Sequence, residues 1–461
     1  MPSLALAKES SPSFIRPRNY WSRGLPWVTK GSLAMLDQAL TAGSNFLITI
    51  LLARWLTAAE YGAYALAFSV FLLFALLNDS LITEPMMVFG PSSYQSFKRE
   101  YLGSLLRIQG LIGIAFSILL ALAALITGQI GSSRILASTL AGLCVSTPCV
   151  LILYLARYAN YLEQRPGRAA AGAALYCVLA LSATFVVYRG GSLSPRTAFH
   201  IIGISSILTA AFMLLRFKPK LRLSGGMTPG AVWAKHWSYG RWSLGSAALR
   251  WLPANITYSL TGAFLGMADT GALKALLNLL LPLSNGVSSF SILFQPYVSG
   301  VFAKGGERST RAPTATVSIL YIAVGTIYTV LLAVFRHPVF GLLYRGKFLH
   351  VAYLVPVVGA ATVLTLGSYG AVMGLRAIQR PSSVFAANCA ASVVSVVAGI
   401  VGTWKFGLRG LVASMVLSGL TMLLVTVHLF GRGTRSTPDP ATGRRRQLCE
   451  LTRDGLETLQ P

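Results

Sequence analysis

Twelve apolar runs of about 17–28 residues dominate this chain and leave little choice of architecture. They cover 31–53, 61–77, 108–126, 135–155, 169–188 and 198–215 in the first half. In the second half they cover 243–265, 275–302, 315–335, 351–375, 383–404 and 411–430. Backbone polar groups in lipid must bond within their own segment, so each run predicts a helix. A membrane β-barrel would alternate polar and apolar residues over about ten positions, and these runs do not. Charged residues make up 11% of the 461, against about 25% in soluble domains. The expected fold is an all-α polytopic membrane protein with about 12 transmembrane helices.

Charge sets the orientation. If the N-terminus is cytoplasmic, the cytoplasmic loops and tails hold 28 Lys and Arg and the opposite side holds 9. That asymmetry on short loops is a positive-inside signal and places both termini in the cytoplasm. The net charge of +26 then reflects topology and attraction to anionic membrane lipids. No soluble basic domain exists to hold nucleic acid, so that partner is excluded.

The two halves repeat one pattern. Asn45 precedes LTAAEYGAY, with Leu56, Ala59, Glu60, Gly62 and Ala63. Asn255 precedes LGMADTGAL, with Leu265, Ala268, Asp269, Gly271 and Ala272. The offset is 210 at the Asn and 209 from Leu56 onward. The basic stretch 217–242 is the longest connection and divides six helices from six. Six is even, so the halves enter the membrane in the same sense, the parallel-repeat plan of transporters. The expected division is a disordered basic tail at 1–30, a six-helix lobe at 31–216 and a cytoplasmic linker at 217–242. A second six-helix lobe at 243–430 and a cytoplasmic tail at 431–461 complete it. The first 30 residues lack an apolar core of their own, so no cleavable signal is expected.

No nucleotide engine is visible. Gly341-LLYR-Gly346-Lys347 has P-loop spacing, but Phe348 stands where magnesium needs a hydroxyl. His236, His337 and His350 fall in loops, and His200 and His428 lie near helix ends. Cys144, Cys149, Cys177 and Cys389 sit in apolar segments and Cys449 in the tail, with no metal pair at C-x-x-C spacing. No catalytic residue, metal site or cofactor is expected, and any pumping is ion-coupled. Within helices, Asp37 is the candidate ion-coupling residue, and Arg250, Lys274, Asn45 and Asn255 are the candidate substrate-binding residues. An ionised group at mid-membrane costs roughly 2.5–3.5 kcal/mol on insertion scales, so it usually faces a partner or a wet cavity. Asp37 and Arg250 also sit about two turns inside their helices, within snorkelling reach of an interface. Lys274 lies beside an external loop. The Asn pair could line a cleft or bond between helices, and Glu60 and Asp269 read as stabilisers of external turns.

The segment NFLITILLARWLTAAEYGAYALA, with Asn45, Ala53-Arg54-Trp55-Leu56 and Glu60-x-Gly62, resembles the opening of the Wzx-like polysaccharide and O-antigen flippases. These form the polysaccharide-transporter branch of the multidrug/oligosaccharidyl-lipid/polysaccharide (MOP) superfamily. LITEPMMVFGP, with Glu84, Pro85 and Gly90, is similar to the stretch after the second helix in those flippases. LGMADTGALKALLNLLLP and FGLLYRGKF look like further members of the pattern. The resemblance implies export of undecaprenyl-diphosphate-linked oligosaccharides across a bacterial inner membrane by alternating access, coupled to protons or sodium. Polysaccharide polymerase and glycosyltransferases would be the partners. A multidrug/cation antiporter of the same superfamily would favour a more acidic, aromatic-lined cavity. A major-facilitator carrier would show a Gly/Asp/Arg-rich loop after the second helix, where this chain reads FGPSSYQSFKREYLG. A membrane polymerase or glycosyltransferase would show a large external loop or clustered acids. Lipid II flippases typically have two further helices.

Overall fold

The repeated Gly residues meet one another at the contact between the two halves, and the helices are arranged around that meeting. The computed structural model describes residues 20–130, 134–215, 217 and 228–434. The tail stretches 1–19 and 435–461, residues 218–227 of the expected linker, and some helical side chains, that of Arg250 among them, lie outside the described residues. The first lobe runs through α1 (Tyr20–Trp55), α2 (Ala58–Asn78), α3 (Glu84–Ser92), α4 (Lys98–Gln129), α5 (Arg134–Leu162), α6 (Pro166–Arg189) and α7 (Pro195–Leu214). A π-helical turn, Asp79–Thr83, joins α2 to α3. The second lobe runs through α8 (Pro229–Phe264), α9 (Met267–Asn278), α10 (Leu281–Ser309), α11 (Arg311–Val334), α12 (Arg336–Tyr344), α13 (Val355–Ala377) and α14 (Pro381–Gly433).

Among the described residues, nine helical stretches are long and apolar enough to cross a membrane. The last of these holds two crossings. Gly407 leaves the helical region at φ 60° and ψ −141°, breaking the 53 residues of α14 into two passes. A side chain at Gly410 would stand 2.0 Å from the Gly402 carbonyl oxygen, so the two passes turn back tightly there. The less apolar α8 and the α9–α10 pair complete twelve crossings. The lipid-facing surface follows helical spacing: on α4, Leu111, Ile114, Ile118, Leu122 and Leu125 are all exposed. Within the first lobe α5 packs on α4 and α7, and α1 on α6. Within the second, α13 packs on α11 and α14, and α8 on α14.

The first repeated motif forms the joint. In its N-terminal copy, Thr57 and Glu60 make a capping box: Thr57 N–H donates to Glu60 Oε2 at 2.9 Å, and Glu60 N–H donates to Thr57 Oγ1 at 3.2 Å. The acid therefore starts α2, and Asp269 holds the matching place in the first turn of α9. The helices then cross at their glycines. A Cβ on Gly62 would lie 1.6 Å from the Met267 carbonyl oxygen, and one on Gly271 would lie 2.4 Å from that of Ala58. Ala58 and Met267 carry the same offset of 209 as Gly62 and Gly271. The contact is self-complementary under the repeat, as two-fold-related halves require.

A second repeated motif closes the opposite face. Gln164-Arg165-Pro166 recurs as Gln379-Arg380-Pro381. Gln164 and Gln379 both adopt left-handed φ, 55° and 57°. Arg165 N–H reaches the Asn160 carbonyl and Arg380 N–H that of Leu375, each at 2.9 Å. These are six-to-one C-terminal caps, with Pro opening the next helix in each case.

The end of the cleft beside the α1–α2 turn is sealed. Lys347 Nζ donates to the carbonyls of Ala53, at 3.1 Å, Arg54, at 3.3 Å, and Leu56, ending α1. The lysine of the P-loop-like spacing is thus a helix cap across the two lobes. Arg54 returns a bond to the Leu342 carbonyl at 3.1 Å, and Tyr344 donates to that of Ala275 at 3.0 Å. Asn278 donates to the buried Tyr61 hydroxyl beside the glycine crossing.

Overpacking a tight contact costs about 1–3 kcal/mol, and here the obstacle is backbone that side-chain repacking cannot relieve. Gly62→Val and Gly271→Val are each expected to lower the melting temperature of the purified chain in detergent. Gly43→Ala, with no atom within 4 Å of the added carbon, should leave it unchanged or raise it.

Candidate functional site

Asp37 is fully buried on α1, and α5 brings it a partner. Arg157 Nε approaches the two carboxylate oxygens at 3.2 and 2.9 Å, and Nη2 reaches Oδ2 at 2.6 Å. Tyr161, one turn further along α5, donates to the same oxygen. Arg157 Nη2 also donates to Gln38 Oε1 at 3.0 Å. A planar guanidinium matches a carboxylate fork in this way better than an ammonium would. The charge count treats Arg157 as a cytoplasmic loop residue. The structure puts it inside α5, because the helix continues well past the last residue of the apolar run. Asp37 is therefore an ion pair in this state rather than a snorkelling side chain.

The pair lies at a small cavity of the first lobe, about 70 Å³, lined by Arg157, Asn45, Thr41, Tyr64, Phe68 and Tyr154 among others. Asn45 is exposed there, as a cleft-lining residue would be. Its repeat partner differs. Asn255 is buried and donates back to the Trp251 carbonyl at 3.1 Å. The two asparagines share a sequence place but not an environment.

Lys274 sits deeper than its place beside an external loop suggests. Only 6% of its surface is exposed. Its Nζ lies 5.0 Å from the centroid of Phe68, on α2 of the first lobe, and 5.4 Å from that of Tyr258, on α8 of the second. Among the described residues it has no ion pair and no hydrogen bond. Phe68 also lines the first-lobe cavity, so its ring lies between that cavity's lining and Lys274. Arg250 is on α8, one turn before Asn255, with its side chain outside the described residues. His236, expected in a loop, is instead on α8 and buried. Its ring nitrogens contact the Tyr101 hydroxyl at 2.7 Å and the Leu81 carbonyl at 3.0 Å. Among the described residues no three His, Cys, Asp or Glu are grouped to hold a metal.

A second, larger chamber of about 840 Å³ occupies the second lobe between α10, α13 and both passes of α14. Sequence reasoning named none of its lining residues. The signal was present as Ser284, Ser288 and Ser291 on one face of α10, but small hydroxyls at helical spacing are common in packed membrane helices.

No family model matches the sequence, and no curated protein sequence does. Solved structures do match. An inward-facing multidrug-resistance MATE family transporter of the MOP superfamily superposes with a TM-score of 0.71 at 12% identity, covering 89% of this chain and 99% of that one. The lipid II flippase MurJ, in an inward closed conformation, gives 0.68 at 15% identity and 87% of each chain. A MOP superfamily transporter from Pyrococcus furiosus, described as having a binding pocket of reverse polarity that suggests a different function, gives 0.58 at 12% identity, covering 88% and 96%. The chain shares the fold of these transporters. An outward-facing MATE transporter of the MOP superfamily matches at a TM-score of 0.57.

Removing one partner of a buried ion pair costs about 3–5 kcal/mol, because the other charge is left uncompensated. Arg157→Gln is expected to destabilise the purified chain by that order. The double variant Asp37→Asn/Arg157→Gln should be more stable than Arg157→Gln alone in a thermal double-mutant cycle.

Proposed function

We propose that this protein exports undecaprenyl-diphosphate-linked oligosaccharide repeat units across the bacterial inner membrane, by ion-coupled alternating access. The observation that carries this reading is Lys274: a buried cation between the lobes, held by two aromatic faces and given no carboxylate. A desolvated cation–π contact contributes about 2 kcal/mol, comparable to the cost of keeping the ammonium from water. The charge is thus tolerated but not neutralised, which suits an anionic cargo. Arg157 on the near wall offers a second cation once Asp37 is protonated, or takes a cation, and releases it. Arg250 is proposed for the same diphosphate, with Asn45 and Asn255 as polar neighbours of the path. The polyprenyl tail stays in lipid.

The rival is a multidrug/cation antiporter on the same fold. It needs an acid free to meet a cation, whereas the buried carboxylate of the first lobe is taken up by Arg157 and Tyr161. The glycosyltransferases that build the cargo and the polymerase that consumes it are the expected partners.

The test is translocation in proteoliposomes of a labelled lipid-linked oligosaccharide, set against an organic cation. Lys274→Met is expected to slow lipid-linked transport at least tenfold, with Lys274→Arg well above it, and Asp37→Asn to lose dependence on the ion gradient. Wild-type transport of the cation and not the glycolipid would establish the antiporter instead.

A further inference from the structure

The walls of the second-lobe chamber carry a chemistry opposite to that of Lys274 and Arg157. Its volume, about 840 Å³, is within the range of about 300–1,000 Å³ usual for small-molecule sites. Its lining is rich in Ser and Thr, and on the α10 and α13 walls Ser288, Ser291, Thr362 and Thr365 spend their protons within their own helices. Ser288 donates to the Ser284 carbonyl and Ser291 to that of Val287, both at 2.8 Å. Thr362 donates to the Val358 carbonyl and Thr365 to that of Ala361, both at 3.0 Å. A hydroxyl has one proton and two lone pairs, so each of these oxygens can offer a ligand only acceptance. Gln295 adds a further acceptor. One of its two Nε2 protons goes to the Met373 carbonyl at 3.3 Å, and its buried Oε1 has no partner among the described residues.

Such a wall selects its ligand. A diphosphate needs clustered donors, whereas Ser288, Ser291, Thr362 and Thr365 have none left and Arg376 is the single cation among the described lining residues. An organic cation finds no carboxylate, and the one charged residue lining the chamber is Arg376. A bare metal ion needs a compact ring of oxygens, for which the space is too wide. The ligand that fits is uncharged and brings many donors of its own, together with apolar C–H faces for Tyr369 and Met373. Those are the properties of sugar rings.

We infer that the second-lobe chamber binds the sugar rings of the cargo glycan, with Thr362, Thr365, Ser288, Ser291 and Gln295 accepting from sugar hydroxyls. This rests on the export reading and divides the cargo: diphosphate to the cationic cleft, glycan to the second lobe. Selectivity among glycans then resides in α10 and α13, away from Lys274.

The experiment uses the full chain with Thr362→Val/Thr365→Val, which keeps side-chain volume while removing two acceptors, and with Gln295→Leu as an independent variant. Two measurements are made. One is binding of maltotriose, of N-acetylchitotriose and of tetraphenylphosphonium to the purified protein. The other is the ratio of transport rates in proteoliposomes for an oligosaccharide-bearing lipid and for bare undecaprenyl diphosphate. The expected result is trisaccharide binding weakened at least fivefold in the variants and a transport ratio lowered about tenfold. Lys274→Met should instead slow both lipids together. Unchanged trisaccharide binding and an unchanged ratio in the variants, or tetraphenylphosphonium displaced by these substitutions, overturns the inference. If the wild type moves neither lipid but binds a trisaccharide through Thr362 and Thr365, the export reading fails and the sugar chamber stands.

Discussion

The crossing of α2 and α9 at Gly62 and Gly271 is the contact on which the two-lobe plan depends. Carbonyl oxygens of Ala58 and Met267 occupy the space where a side chain at either glycine would sit. Helix backbones can approach this closely only without Cβ atoms, and in lipid such packing, rather than hydrophobic burial, holds helices together. Because the same residues contribute from both copies, the joint is a two-fold contact within one chain. The caps around it belong to the same construction: the Thr57–Glu60 box starts α2, and Lys347 from the second lobe ends α1 of the first. The seal between the lobes is thus built largely from backbone carbonyls and glycine.

Ionised groups in the interior follow a strict economy. Asp37 is neutralised by a guanidinium and a phenol, so its pair presents little net charge to the first-lobe cavity. Lys274 has only aromatic faces, which stabilise a cation without cancelling it. These two solutions to one desolvation problem leave different surroundings in the interior. The Asp37–Arg157 pair is neutral overall, whereas Lys274 lies against aromatic rings with no acid beside it among the described residues.

Much of this was legible in the sequence, for physical reasons that differ from element to element. Helices follow from lipid solvation, which acts on each segment separately, so apolar runs reveal them. The Asn-to-Gly repeat revealed the two lobes, because tight turns and glycine crossings tolerate few residues. The Gln-Arg-Pro repeat was equally visible but carries its meaning in a left-handed Gln, which composition does not mark. Arg157 was missed because charge near the end of an apolar run reads as loop, and its partner lies 120 positions away. Lys274 reads from the sequence as a residue beside a loop, and its burial is a tertiary effect. α9 is short and turns inward at once, carrying a residue next to a loop into the joint. Asn45 and Asn255 show the limit of repeat logic: equal register does not give equal exposure.

One helix ties these features together. The N-terminal part of α8 is fastened to the first lobe. Tyr239 donates to Glu84 at 3.2 Å, Ser243 donates to the same carboxylate, and His236 bridges Tyr101 and the Leu81 carbonyl. Its C-terminal part belongs to the second lobe, where Ser392 donates to the Leu249 carbonyl at 3.0 Å and Tyr258 faces Lys274. Pro253 falls between Leu249 and Tyr258, inside the helix. A proline there removes one backbone donor and weakens the helix against bending. A bend of α8 between its two fastenings meets least backbone resistance at Pro253. Arg250, Asn255 and Tyr258 all lie within two turns of that point. The residues proposed to meet the cargo therefore share one stretch of sequence with the most bendable part of this helix.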